Sequence, residues 1–113
     1  MTLNELRTVL ESVVMNGELI FDGKVAYRAF PENDAPELPF ICYQASQTEN
    51  FKADNSVYQK RQGIDIELYT QYKDEDVENA LEDVLNASEL LWEKYEEYID
   101  SEKMYQITYE VII

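Results

Sequence analysis

The chain is 113 residues long, and 9 basic against 24 acidic side chains give a net charge of 9 − 24 = −15 with no histidine. That balance excludes a basic stripe for nucleic-acid phosphates or an anionic membrane surface, and the missing imidazole excludes a Ser-His-Asp or Cys-His relay. Cys42 stands alone, which rules out an internal disulfide or a Cys-rich zinc site, while 45% apolar and 12% aromatic residues mark one globular domain over 1–113, not an acidic disordered tail.

Thr2 and Glu5 have the spacing of a capping box, and Leu3, Leu6, Val9, Leu10, Val13 and Val14 fall on one face of a helix behind it. Asn16-Gly17 is expected to end that helix, Gly taking the left-handed position after the last turn. Period-two patterning then predicts a strand over Lys24–Phe30, closed by the turn formers of Pro31–Pro36, and a second strand over Pro39–Ala45 with apolar residues on both faces. Gln47–Ser56 is polar, with Ala53–Ser56 a hairpin loop. A long strand is expected over Val57–Thr70, where Ile64, Ile66 and Leu68 alternate with Asp65 and Glu67 and Gly63 marks a bulge or bend. Asp74 opens a second helix with the stripe Val77, Ala80, Leu81, Val84 and Leu85. Leu90–Ile99 reads as a prolonged helix by its Leu, Glu and Lys content, or as a strand by Trp92, Tyr95, Tyr98 and Ile99. Tyr105, Ile107, Tyr109, Val111 and Ile113 alternate with polar residues and form a last strand, joined to Leu91–Ile99 by a turn at Asp100–Lys103 if that segment is a strand. The order is α-β-β-β-α-β-β, an α+β fold whose curved antiparallel sheet carries two amphipathic helices on one face.

Several segments in this order carry a resemblance: Ala26-Tyr27, Phe30-Pro31, Leu38–Tyr43, Asn50–Asn55 with Val57-Tyr58, Ile64–Thr70, Val77–Glu82 and Tyr98–Glu110. Together they resemble small proteins encoded in the morphogenesis regions of long-tailed phages and prophages of Gram-positive bacteria, which are taken to be tail-completion, tail-terminator or head–tail joining proteins. The resemblance spans roughly Tyr27 to Tyr109, and the first helix shares only its amphipathic pattern. It implies an α/β fold with a curved sheet, a homo-oligomeric ring, commonly a hexamer, at the top of the tail tube, and partners among tail-tube and head–tail connector proteins. It also favours the strand reading of Leu91–Ile99.

No constellation of residues asks for catalysis. Asp65 and Glu67 have a spacing that fits a hard cation or an acid/base pair, but the wet face of an amphipathic strand accounts for both. Asp74-Glu75-Asp76 lacks the glycine and the terminal glutamate of a calcium loop, and no Gly-rich loop offers a seat for phosphate. Cys42, in an apolar strand without a neighbouring cation, reads as an inert buried thiol. No enzyme activity, cofactor or metal is expected.

The candidate residues are instead those of an interface. Phe51 lies in a polar loop with Lys52, Asp54 and Asn55, and serves either as an aromatic anchor for a neighbouring subunit or as a cap on the sheet. Tyr58, Tyr69, Tyr72 and Tyr98 offer contact area with a polar tip, and Lys60-Arg61 is the one basic pair, suited to an acidic neighbour or to a cross-strand partner. The Pro31–Pro39 loop is a second docking arm by the same logic. Twelve of the 24 acids fall between Asp74 and Glu102, a stretch whose one cation is Lys94. The leading expectation is a virion structural protein of the tail or neck, made in the bacterial cytoplasm, with DNA passing through the ring unbound. The alternative is an acidic DNA mimic that blocks a host nucleic-acid-handling protein. No apolar run approaches the ~20 residues of a membrane span, and Met1–Glu5 lacks a basic signal-peptide start, so the protein is expected to stay in a reducing aqueous compartment or to leave it by a route other than secretion.

Overall fold

Helix α1 starts where the capping box places it. The Glu5 N–H donates to Thr2 Oγ1 at 3.1 Å, and the Thr2 N–H donates to the Glu5 carboxylate at 2.9 Å. The structure, a computed structural model, describes residues 1–46 and 61–113. Within them α1 covers Leu3–Glu11 and buries Leu6 and Leu10. It ends before Asn16-Gly17, because those two residues turn a small hairpin between β1 (Val14–Met15) and β2 (Glu18–Leu19). Asn16 at φ 54° and Gly17 at φ 80° both lie in the left-handed region, as a tight two-residue hairpin turn requires at its two central positions. The expected role of this dipeptide as a helix terminator is therefore corrected.

The main sheet comprises β3 (Val25–Tyr27), β4 (Phe40–Ala45), β5 (Gly63–Thr70), β6 (Trp92–Ile99) and β7 (Met104–Ile112), in the spatial order β3-β4-β5-β7-β6. Its central ladders are antiparallel, as the alternation predicts. The first strand departs from that rule: β3 runs parallel to β4, with Val25 opposite Ile41 and Tyr27 opposite Tyr43. The chain needs a crossover to return in the same direction, and residues 28–39 supply it without a helix. Arg28 at φ 71° stops β3 well short of the expected Phe30. Gly63 neither bulges nor bends β5; it pairs in regular register with Ile112. The region 90–99 resolves as the strand β6, joined to β7 by a turn in which the Glu102 N–H donates to the Ile99 carbonyl.

Helix α2 (Glu75–Ala87) is capped by Asp74, whose side chain accepts the Val77 N–H at 3.2 Å. Together with α1 it covers one face of the sheet. Between them lie Leu6, Leu10, Val77, Leu81 and Leu85 from the helices and Ile41, Ile64, Ile66, Leu68, Ile107 and Val111 from the strands, all in one apolar cluster. Each such side chain contributes roughly 1.5–3 kcal/mol when withdrawn from water. The expected two-helix layer on one side of an α+β sheet is what the molecule has.

Candidate functional site

Beneath the helices, at the β6 end of the sheet, the core turns ionic. Glu78 of α2 is 1% exposed, and its carboxylate accepts from Lys73 Nζ at 2.7 Å and from Lys94 Nζ at 3.1 Å. Lys94 also donates to Glu82 at 2.6 Å, Lys73 to Glu96 at 2.6 Å, and the Tyr109 hydroxyl to Glu82 at 2.8 Å. Hydrogen bonds to Glu78 and Glu96 hold the Lys73 ammonium strongly in its charged form. Burial works against the charge on Lys94, but its bonds to Glu82 and Glu78 outweigh that and raise its pKa. The network fastens β6 to α2. Its groups are paired with one another, as buried charges must be.

The opposite face of the sheet carries no helix. The ladder registers set its side chains in rows. Asp65, Glu110 and Glu93 lie directly opposite one another on β5, β7 and β6; the next row holds Cys42, Glu67, Thr108 and Tyr95; the one after holds Phe40, Tyr69, Gln106 and Glu97. One end of the face is aromatic: Phe40 packs edge-on against Phe30 at 5.2 Å and tilted against Tyr69 at 5.1 Å. The other end is acidic. Burial raises the pKa of Asp65; it also raises that of Glu67, helped by the Asp65 charge and opposed by hydrogen bonds from Tyr69 and Gln44. Like charges placed directly across a ladder destabilise it, so the row Asp65–Glu110–Glu93 costs the fold something. Among the described residues no three carboxylates converge closely enough to hold a metal ion. Cys42 is buried on this face, with its thiol pushed up to about 11 by burial and by the nearby Glu67 charge.

The two edges of the sheet are unlike. Strand β3 is three residues long, and Arg7 Nη2 donates to the Val25 carbonyl at 3.0 Å. Strand β6 is eight residues long, exposed along most of its length, and among the described residues no strand lies on its outer side. At the head of β6 a cavity of about 260 Å³ opens among Gly63, Leu91, Trp92, Glu110, Val111 and Ile112, and Leu91 beside it is 90% exposed. A second groove, of about 550 Å³, runs between the β1–β2 hairpin and α2 and is lined by Val14, Met15, Asp76, Asn79 and Asp83.

No family model, curated protein or solved structure matches the chain.

The residues named from the sequence do not gather in one place. Phe51, Lys52, Asp54, Asn55, Tyr58 and Lys60 lie outside the described residues. Arg61 is exposed just before β5, and Tyr72 is exposed between β5 and α2. Tyr69 sits half-buried on the open face, its hydroxyl donating to Glu67 at 3.1 Å. Tyr98 sits on the opposite face at the β6 edge, against Tyr105 at 4.9 Å. Residues that sequence reasoning passed over are Glu93, Tyr95, Glu97 and Glu110. Their signal was present as alternation along β6, but the helix-forming content of the same stretch obscured it.

No helix among the described residues is long and apolar enough to cross a membrane.

Proposed function

We propose that the protein is a structural component of a phage tail or neck, acting by self-assembly into a ring and by docking to tail-tube and connector proteins. The observation that carries this reading is the contrast between the two sheet edges: a long open strand on one side and a short one, held by Arg7, on the other. A ring closes through heterologous contacts, in which two different patches of each subunit meet, and unlike edges provide unlike patches. The order of motifs from Ala26 to Glu110 that resembles tail-completion and head–tail joining proteins supports the same reading. The molecule would act through shape and charge, with no reaction at any side chain.

Light scattering after gel filtration, with the protein alone and then with a tail-tube protein, tests the proposal. A ring-sized species in either sample is the expected result; a monomer that ignores the tube protein at high concentration would overturn it. The acidic row on the open face favours a second reading, that of an acidic mimic of DNA. Tight, salt-sensitive binding to a host nuclease or polymerase, displaced by duplex DNA, would decide for it.

A further inference from the structure

From the open edge of β6 we infer that the protein binds an extended, basic segment of another protein, which adds as a sixth strand beside Trp92–Ile99. The inference goes beyond the ring proposal but uses the same edge, so the added segment and a neighbouring subunit compete for it wherever a ring closes through β6.

An edge strand presents a row of unpaired N–H and C=O groups, and folds normally blunt it by shortness, proline, a bulge, charged side chains or a covering element. Strand β3 is blunted by its length and by Arg7. Strand β6 has only charge for this purpose, in Glu93, Lys94, Glu96 and Glu97: it has no proline, it keeps regular register with β7 over its full length, and among the described residues nothing covers its outer side. Backbone pairing there is open to a partner.

Charge selects which partner. On the uncovered face, β6 presents Glu93 and Glu97 on either side of Tyr95, with Glu110 and Asp65 behind Glu93. Lys94, the one cation of the strand, points to the other face and is held by Glu78 and Glu82. A second copy laid edge to edge would set glutamate against glutamate, which the acidic side chains disfavour. An added strand with lysine or arginine at alternate positions would place each cation beside Glu93 and Glu97 and relieve the row Asp65–Glu110–Glu93. At the head of the strand, the cavity bordered by Leu91, Trp92 and Ile112 offers a seat for one apolar side chain of the incoming segment. The recognised pattern is an apolar residue followed by alternating basic residues in extended conformation.

The test uses the full chain and a synthetic peptide as long as β6 that begins with leucine and then alternates threonine with lysine. Amide hydrogen exchange read by NMR is expected to slow about tenfold or more within 92–99 on saturation with the peptide. The effect should weaken with added salt, and a peptide with glutamate in place of lysine should not produce it. In the double variant Glu93→Lys, Glu97→Lys the protection should vanish, while thermal stability is kept or raised because repulsion across the ladder is removed; that behaviour separates lost binding from lost folding. Absence of protection in β6, protection only elsewhere, equal binding of the glutamate peptide, or undiminished protection in the folded double variant would each overturn the inference.

Discussion

Removing the carboxylate of Glu78 takes a shared acceptor from Lys73 and Lys94 at once. Losing one partner of a fully buried pair costs about 3–5 kcal/mol, but these lysine side chains are 42% and 36% exposed and regain water. The expected cost of Glu78→Ala is therefore smaller, about 1–3 kcal/mol, read as a lower urea midpoint. Tyr109→Phe, which removes the hydroxyl bonded to Glu82, should cost about 1.5 kcal/mol, since its acceptor is charged. At Cys42, burial and the Glu67 charge keep the thiol protonated at neutral pH. A disulfide-exchange reagent at that pH should leave the folded protein unmodified and titrate one thiol after unfolding in urea. Glu67 shows how far a residue's setting is readable: its alternation with Ile66 and Leu68 placed it on the wet face, but its bonds to Gln44 and Tyr69 depend on which strands adjoin β5.

Elements were legible where local chemistry has one solution. Thr2 with Glu5, and Asp74 before Val77, can each satisfy orphan N–H groups only at a helix start, and both do so. Asn16-Gly17 had two solutions, because the left-handed backbone that ends a helix also turns a tight hairpin; pairing of Val14 with Leu19 decided between them. Gly17 has open space around the site of a Cβ but a φ of +80°, so Gly17→Ala should cost about 1 kcal/mol through backbone strain alone, measurable by thermal melting. The direction of β3 could not be read from Val25-Ala26-Tyr27, since alternation is the same for parallel and antiparallel partners. It is the path of residues 28–39 that reverses it. Strand β6 was ambiguous because its glutamates and lysine favour helix as single residues, and only pairing with β7 gives its tyrosines a side to face.

At the scale of the whole molecule, the fold sets five acids, Asp65, Glu67, Glu93, Glu97 and Glu110, on the uncovered sheet face and further ones on α2. Burial raises the pKa of Asp65 and, with the Asp65 charge, that of Glu67, so the folded chain binds these protons more readily than the unfolded chain. Their contribution is favourable below the unfolded carboxyl range, near pH 4, and is lost as pH rises through the higher folded values. The lowered pKa of Glu5 acts in the opposite sense at the first helix. Melting temperature should therefore rise as pH falls from neutral toward the unfolded carboxyl range, and Asp65→Asn should flatten that dependence and raise the neutral-pH value, checked by calorimetry. The spatial order β3-β4-β5-β7-β6 also dictates an order of assembly. Strands β6 and β7 meet across sequence separations that begin at 104 − 99 = 5, whereas β5 meets β7 across 105 − 70 = 35 to 112 − 63 = 49 residues. Closing that long loop is the slow entropic step. The β6–β7 hairpin is thus the most local ladder of the main sheet, and the strand with the open edge is the one whose pairing costs least in chain entropy.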